Sequence, residues 1–267
     1  MYFLFTFLIF NFQFSMITII GRGHSGTRAI SHTLSASGAF MGAQLNVSGD
    51  MLPPQPLYEA CKVMGKYVNH LGGNRWDFSN LHTMPIDPAF TRLVVNYLSQ
   101  VLDSTELRKG WKLPETTLIY PWIVRMFPHI DYIFWVRDPR DCILSGHITD
   151  NLANFGAPYE KPPQINGEDD ILMMRAISWK YQREIVHATP PPRRRIDVRF
   201  EDFVLKQDET LARLSKHFEF PMAKIEVRPD AVGRWKTRPD VDFTRFEELF
   251  RKELVEQGYV SKSKIKK

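Results

Sequence analysis

Cysteine and metal-ligand patterns are scarce in this chain of 267 residues. Its two cysteines, Cys61 and Cys142, cannot form a disulfide framework and do not have the spacing of a zinc site. None of the eight histidines lies in an HxH or HExxH pattern, so we expect no bound metal. Cys142 falls in a predicted helix, where we interpret it as a small core residue.

A large excess of charge is also absent. The net charge is +5, and part of it lies in Arg193–Arg195 and in the final residues KSKIKK. This distribution does not indicate a basic surface that binds nucleic acid. A basic rim around an anionic ligand is the simpler interpretation. Hydrophobic residues make up 43% of the chain and no long linker interrupts it. We therefore predict one globular domain over residues 16–260, followed by a basic tail at 261–267.

One long hydrophobic run stands at the start, MYFLFTFLIFNFQFS in residues 1–15. A helix that spans a membrane needs about 20 apolar residues, and reaching that length would consume the next segment, MITII. The run also lacks the basic start and the small-residue cleavage site of a signal peptide. We expect translation to begin at Met16 and the protein to be cytoplasmic; the alternative is a Golgi-type membrane anchor formed by residues 1–15.

Residues 16–28, MITIIGRGHSGTR, join a short apolar strand to a glycine-rich turn and the start of a helix. Backbone N–H groups in such a turn, together with the first helical turn, bind phosphate groups. Gly21 and Gly26 have the spacing of the P-loop pattern GxxxxGK[ST], but Thr27 replaces its lysine and Arg28 its metal-binding hydroxyl. A plain strand–helix connection is the other interpretation, although it would not need so many anion donors. The turn therefore predicts a metal-free site for a phosphate ester, with contacts from Arg22, Gly23, His24, Ser25, Gly26, Thr27 and Arg28.

A second anion-binding element follows the predicted strand Asp131–Val136, where the sequence continues RDPRDCILS. Asp138 can cap a helix that has Pro139 in its first position. Arg137 then stands at the strand end, eight residues before Ser145, so the two could share an anion only if the helix lies along the ligand. Taken alone, Arg137 is better explained as a surface or ion-paired arginine.

Strands that alternate with helices predict an α/β fold: a single domain with a central, mostly parallel sheet flanked by helices, and a P-loop-like phosphate-binding loop after the first strand. Ligands of such sheets bind at the carboxyl ends of the strands. Residues 154–170 are predicted to form a polar loop. The predicted strands are 16–20, 109–112, 131–136 and 196–200. The predicted helices are 26–37, 57–71, 88–103, 117–127, one from Pro139, 170–187, one capped by Asp208, and 244–257.

These segments, in this order, resemble the sulfotransferases that use 3′-phosphoadenosine 5′-phosphosulfate (PAPS). HSGTRAI (24–30) is similar to the family's 5′-phosphosulfate loop, and Arg137 with Ser145 match its 3′-phosphate motif of a strand-end arginine and a serine eight residues on. The resemblance extends over most of residues 16–260. It includes WKLPETTLIYPWIVRMFP (111–128), VRFEDFVLKQDETLARLSKHFEFP (198–221) and the late loop GRWK (233–236).

The resemblance implies an enzyme that moves the sulfuryl group of PAPS to a hydroxyl or amine acceptor by in-line, metal-independent transfer, with PAP as the product. The first loop would hold the 5′-phosphosulfate, and Arg137 with Ser145 would hold the 3′-phosphate. Arg234 and Lys236 would close over the same phosphate, while Trp235 would stack on the adenine or pack against the core.

The implied catalytic set departs from the family, because His24 stands where the family usually has lysine. We expect His24 to donate a proton or a hydrogen bond to the bridging oxygen, and Lys112 to act as a second cation at the sulfuryl oxygens. A solvated lysine at a strand end is the alternative for Lys112. Residues 41–50 contain no glutamate that could act as the base. Asp50 and Glu115 are the candidates, and each is alternatively a helix cap or a surface residue.

Two other functions stay open at this point. A P-loop nucleotide kinase or NTPase would need the lysine and the hydroxyl that the loop lacks. A non-catalytic module that binds PAP or another nucleotide would explain the histidine substitution. The sequence leaves the acceptor open among small-molecule, carbohydrate and lipid compounds and predicts no nucleic-acid partner, and it leaves oligomeric state and membrane association open.

Overall fold

The computed structural model describes residues 15–158 and 166–260. Its centre is a sheet of four strands, β1 (Ser15–Ile20), β4 (Arg108–Trp111), β5 (Asp131–Val136) and β6 (Arg195–Arg199). The strands lie in the order β4, β1, β5, β6, and every neighbouring pair is parallel. The four carboxyl ends therefore lie along one edge of the sheet. The predicted α/β fold with a parallel central sheet is confirmed.

β1 and β5 lie at the centre of the sheet, and all six residues of β5 are buried. Tyr132 and Phe134 of β5 pack into one hydrophobic core, whereas Ile133 and Trp135 pack into a second core on the other face. Both faces are covered because strands of a parallel sheet are apolar on either side.

Helices form both covering layers. The described residues contain α1 (Thr27–Ala36), α2 (Gln55–Gly65), α3 (Asn80–Thr83), α4 (Pro88–Leu102), α5 (Tyr120–Met126), α6 (Pro139–Ile143), α7 (Glu168–Ala188), α8 (Phe200–Leu205), α9 (Gln207–Phe218) and α10 (Glu247–Glu256). Helices α1, α8 and α9 contribute Leu34, Phe203 and Leu214 to the core that contains Ile133. Helices α2, α4, α5, α7 and α10 pack on the opposite face.

The helix predicted over residues 57–71 is too long. It ends at Gly65, and the following chain forms a small antiparallel pair, β2 (Asn69–His70) and β3 (Trp76–Asp77). Gly72 and Gly73 turn this hairpin with φ values of 86° and 59°. Such positive values suit glycine because it has no Cβ, and a glycine pair of this kind marks a turn rather than a helix.

Other helix starts also differ from the prediction. A 3₁₀ turn (Pro114–Thr117) precedes α5, and a second one (Phe243–Phe246) precedes α10. Asp208 lies in the first turn of α9 and is not its N-cap residue, which is Lys206. Phe200, predicted as the end of a strand, instead begins α8.

Some predictions fall on residues that the structure does not describe. The apolar extension over residues 1–15 lies outside the described residues except for Ser15, which begins β1. The basic tail at 261–267 and residues 159–165 of the predicted polar loop also lie outside them. Among the helices between residues 15 and 260 that the structure describes, none has the length and apolar character that crossing a membrane requires.

Gly110 allows β4 and β1 to pair closely, since a Cβ added there would lie 2.1 Å from the carbonyl oxygen of Ile17. We expect Gly110→Ala to lower the free energy of unfolding by about 1 to 3 kcal/mol, because the strands must move apart to admit the methyl group. Gly167→Ala is the matched control: its φ is −179°, and an added Cβ meets no atom of the described residues within 4 Å. Urea unfolding of both variants checks the prediction, and wild-type stability of Gly110→Ala would contradict it.

Candidate active site

A cleft of about 700 Å³ opens at the carboxyl edge of the sheet. Its walls come from the loop after β1, the residues that follow β4 and β5, the start of α8 after β6, and the chain between residues 225 and 234. Segments that follow all four parallel strands therefore meet here, which is where an open α/β sheet binds its ligand.

The loop between β1 and α1 has an unusual backbone. Gly26, the N-cap residue of α1, has a φ of 90°, and His24 has a φ of 58°. A Cβ on Gly26 would also lie 2.5 Å from Cδ2 of Phe200. The first turn of α1 contains no acidic residue, so its unpaired N–H groups and the helix dipole give this end of the cleft a positive potential.

Gly23 lies directly against the imidazole ring of His147. A Cβ added to Gly23 would be 2.2 Å from Cδ2 and 2.4 Å from Nε2 of that ring. His147 itself lines the cleft, and its Nδ1 lies 2.9 Å from the hydroxyl oxygen of Thr149. The loop after β1 is thus in direct contact with the segment that follows α6.

The structure separates the predicted phosphate contacts of this loop into two groups. Arg22 is 4% exposed and its Nη2 lies 2.5 Å from Oδ1 of Asp150, while the hydroxyl of the buried Ser25 donates to the Arg22 carbonyl. These two side chains lie behind the loop, contrary to our expectation, because a buried guanidinium needs a carboxylate partner. Asp150 is 128 residues away in sequence, so the pattern of the loop could not reveal it. The loop residues that line the cleft are Gly23, His24, Gly26, Thr27 and Arg28.

Arg137 and Ser145 both line the cleft. Because α6 ends at Ile143, Ser145 follows the helix and does not lie two turns inside it. Nη2 of Arg137 donates to the carbonyl oxygen of Ala231 at 2.5 Å and to Oδ2 of Asp141 at 3.3 Å. Arg137 is therefore ion-paired within the protein and also faces the cleft, which combines the two interpretations that its sequence position allowed.

The late loop is anchored by Asp141, whose Oδ1 accepts a hydrogen bond from the backbone N–H of Trp235 at 2.8 Å. Arg234 lines the cleft, whereas Trp235 and Lys236 do not. The Trp235 ring packs against the guanidinium of Arg140, with 3.8 Å between Cζ and the ring centroid. Trp235 is half-buried and belongs to neither hydrophobic core, so its ring packs on Arg140 and not against the core as one interpretation had it.

Lys112 and Asp50 form an ion pair in the wall of the cleft. Nζ of Lys112 donates to Oδ1 of Asp50 at 2.6 Å and to the carbonyl oxygen of Ser48 at 3.1 Å. Oδ2 of Asp50 accepts from Asn46. The Lys112 side chain is only 3% exposed, so it is not a solvated strand-end lysine. Burial lowers the pKa of Lys112, and the charge of Asp50 acts against this change.

Glu115 lies behind the cleft wall. It is buried, and neither carboxylate oxygen has a hydrogen-bond partner among the described residues. Oε1 is 3.9 Å from Nε2 of His147. Burial raises the pKa of Glu115 to about 7, and the nearby charge of Asp50 adds to the effect. Glu115 is therefore neither an exposed surface residue nor a cap.

The two histidines beside the loop have weakened basicity. Burial lowers the pKa of His147 to about 3, and the charges of Arg22 and His24 act in the same direction. Burial and the charge of Arg22 also lower the pKa of His24, while Asp150 opposes them. A bound anion would raise the pKa of His24, because an opposite charge nearby favours the imidazolium.

Sequence reasoning missed His147, Phe200 and Arg228, which also line the cleft. His147 lies two residues after Ser145, and Phe200 comes directly after β6. Proximity to the carboxyl end of a parallel strand could have identified Phe200, whereas α6 separates His147 from the end of β5. Arg228 ends a segment without helix or strand, for which hydrophobic periodicity makes no prediction.

A comparison with known protein families identifies the family of this chain. A family model described as the sulfotransferase family matches residues 17–224. The chain belongs to the sulfotransferase family. The resemblance to sulfotransferases that the sequence motifs indicated is confirmed. A comparison with curated proteins finds no match.

Solved structures of other sulfotransferases are similar to this one. The sulfotransferase domain from the curacin biosynthetic pathway matches with a TM-score of 0.51 and 14% identity, covering 90% of this chain and 97% of its own. Sulfotransferase STF1 from Mycobacterium tuberculosis H37Rv has a TM-score of 0.49 and 14% identity, with coverages of 88% and 76%. The sulfotransferase domain from the Synechococcus PCC 7002 olefin synthase has a TM-score of 0.49 and 12% identity, with coverages of 90% and 94%. At this identity, the curacin-pathway domain supports the fold alone.

The raised pKa of Glu115 predicts a pH-dependent stability. The folded sulfotransferase keeps the Glu115 proton up to about pH 7, whereas an unfolded chain loses it near 4.5. Stability from this group is therefore present at low pH and lost as pH rises between those values, by roughly 3 kcal/mol. Glu115→Gln, which stays neutral, should match the wild type at pH 4.5 and exceed it at pH 8 in urea unfolding.

Comparison at each pH cancels the contribution of His147, which is the same in both proteins. Glu59→Gln is the control, because the Glu59 side chain is 54% exposed. A constant difference in stability between Glu115→Gln and the wild type from pH 4.5 to pH 8 would contradict the prediction, because it would show that folding does not raise the pKa of Glu115.

Proposed function

We propose that this sulfotransferase transfers the sulfuryl group of PAPS to a hydroxyl or amine of a small-molecule, carbohydrate or lipid acceptor and releases PAP, without a metal ion. The observation that carries the proposal is the presence of two anion-binding elements in one cleft. The pair Arg137 and Ser145 lines the same space as the loop residues Gly23, His24, Gly26, Thr27 and Arg28. PAPS has phosphate groups on both its 5′ and 3′ oxygens, so it requires two such elements.

The residues in the cleft fit this cofactor. The loop, with the N-terminus of α1, would hold the 5′-phosphosulfate through backbone N–H groups. Arg137, Ser145 and Arg234 would hold the 3′-phosphate, where guanidinium groups make charge-assisted hydrogen bonds. The missing lysine and hydroxyl of the GxxxxGK[ST] pattern are consistent with a phosphate site that uses no metal.

Phe200 is our candidate for the adenine contact. Its side chain lines the cleft, and the guanidinium of Arg137 lies over the ring with Cζ 4.4 Å from the ring centroid. The part of the ring that faces the cleft can contact a flat base. Trp235 and Lys236 do not line the cleft, so we assign them no contact with PAPS.

PAPS, when bound, supplies an activated sulfuryl group, and the protein contributes positioning and charge stabilisation. The bound anion raises the pKa of His24, and the imidazolium donates a proton or a hydrogen bond to the bridging oxygen of the leaving phosphate. Nζ of Lys112 has three N–H donors, of which Asp50 and Ser48 take two. The third is available to stabilise negative charge on the sulfuryl oxygens.

The acceptor must lose a proton, and Asp50 and Glu115 are the candidate bases. Glu115 has the raised pKa, but it lies behind the cleft wall and faces His147. Asp50 lines the cleft, although its Oδ1 is held by Lys112. We assign the contact with the acceptor proton to Asp50, because an acceptor in the cleft can reach it.

The first test of this function is ligand binding without metal. PAP should raise the melting temperature of the protein in the presence of a chelator, because the two anion-binding elements supply the positive charge that binds its phosphates and no metal ion is needed. Adenosine 5′-phosphosulfate, which lacks the 3′-phosphate, should raise it less. Equal stabilisation by the two compounds would count against the 3′-phosphate assignment, and stabilisation only by ATP with magnesium would favour a kinase or NTPase instead.

The second test concerns His24 in a transfer assay with labelled PAPS and a panel of acceptors. We choose His24→Asn because asparagine tolerates the left-handed backbone at this position. Transfer should slow by roughly 10²- to 10⁴-fold, the range for a positioned acid, while PAP binding should change much less because the backbone donors remain. His129→Asn, at an exposed position before β5, is the matched control.

The pH profile separates an acid from a structural role for His24. The wild-type rate should fall as pH rises through the pKa of His24, since the imidazolium is lost. His24→Lys should recover part of the rate and move this fall to higher pH, because lysine stays charged. A wild-type rate in His24→Asn would exclude the acid role and leave the charge to Arg28 or Lys112.

A further inference from the structure

The ion pair between Arg22 and Asp150 lies beneath the cleft, and neither side chain lines it. Each side chain is 3% exposed, and Nη2 of Arg22 lies 2.5 Å from Oδ1 of Asp150. Nη1 of Arg22 also donates to the carbonyl oxygens of Gly23 at 2.9 Å and Cys142 at 3.1 Å. Nη2 has a further contact with the carbonyl oxygen of Ser145 at 3.3 Å.

Asp150 holds the backbone on its other side. Its Oδ2 accepts a hydrogen bond from the N–H of His147 at 2.6 Å and lies 3.8 Å from Nε of Arg175. One carboxylate therefore binds the guanidinium of Arg22 with one oxygen and the chain at His147 with the other.

These contacts join the two anion-binding elements. Residues 142–150 carry Ser145 and His147, both of which line the cleft, and Arg22 belongs to the loop after β1. The side chains of Arg22 and Arg137 also line the same enclosed cavity of about 20 Å³ beneath that loop. A displacement of either element would have to break the bonds of a single buried guanidinium.

Stability alone does not explain such a pair. Removing two charges from water is costly, and apolar residues of similar size often give equal or greater stability than a buried ion pair. What apolar residues cannot supply is the directional set of hydrogen bonds, from one planar guanidinium to three carbonyl oxygens and a carboxylate.

We propose that Arg22 and Asp150 are positioning residues that fix the spacing between the loop for the 5′-phosphosulfate and the segment for the 3′-phosphate. This inference rests on the proposed function for the identity of the two phosphates. The ion pair and the hydrogen bonds that support the inference are present in the protein without ligand.

The test uses the double variant Arg22→Met/Asp150→Asn, which removes both charges of the pair together, so that neither partner is left as a lone buried charge. Arg175 loses the carboxylate that lies 3.8 Å from its Nε, but its side chain is 21% exposed and reaches water. Arg194→Met/Asp131→Asn is the matched control. Arg194 and Asp131 form an ion pair with bonds of 2.9 and 3.1 Å, and Asp131 begins β5 at the opposite edge of the sheet. The carboxylate is buried as in the tested pair, whereas the Arg194 side chain is 36% exposed. Urea unfolding first establishes that both double variants are folded.

Calorimetry then compares PAP with adenosine 5′-phosphate and adenosine 3′-phosphate, each of which occupies one element. The Arg22→Met/Asp150→Asn variant should bind each monophosphate as the wild type does but lose PAP affinity by about tenfold or more, equivalent to 1.4 kcal/mol. The control should keep all three affinities. An equal loss for all three ligands, or no loss for PAP, would overturn the positioning role.

Hydrogen exchange on the ligand-free protein keeps this inference separate from the proposed function. Backbone amides in residues 142–150 should lose protection in the Arg22→Met/Asp150→Asn variant and keep it in the control. Unchanged protection would overturn the inference whatever the ligand. If wild-type protein binds PAP no better than the monophosphates, the proposed function fails, while reduced protection in 142–150 would still support the link between the two segments.

Discussion

Positive charge collected at the carboxyl edge of the sheet has to be compensated inside the protein, because a buried cation without a counter-charge is strongly destabilised. Two of the compensating carboxylates here have a second task. Asp150 also binds the backbone of His147, and Asp141 also binds the backbone of the late loop at Trp235. Charge compensation and loop placement are thus performed by the same side chains. In the part of the chain that the structure describes, the pairs around the cleft include Arg22 with Asp150, Lys112 with Asp50, and Arg137 with Asp141.

The fold was predictable where one short-range feature decided the outcome. The apolar runs of β1 and β5 identify central strands, and Pro88 and Pro139 mark the starts of their helices in sequence and structure alike. Helix ends were harder to place. The end of α2 depends on a hairpin that packs Trp76 into the core, and α6 stops after five residues where the chain turns toward the cleft. Both outcomes depend on tertiary contacts, which override local propensity.

For the site, the sequence predicted which segments meet but not which way each side chain points. Parallel topology brings every strand end to one edge, so residues next to strand ends, such as His24, Lys112 and Arg137, were found. The direction of the Arg22 side chain was not predictable, because its partner Asp150 lies 128 residues away in sequence. Trp235 was left between two roles because its packing partner, Arg140, belongs to another segment. The direction of each side chain is set by its contact partners in distant segments, which a local sequence pattern does not contain.

The contact between Gly23 and His147 constrains how this cleft can change over evolutionary time. Any side chain at position 23 would overlap the imidazole, and the hydrogen bond to Thr149 keeps that ring from turning away. Residue 23 can therefore become larger without strain only after position 147 has become small, because in the reverse order the imidazole or the loop has to shift. The two positions form an epistatic pair in which the loop after β1 stays fixed until the segment after α6 has changed.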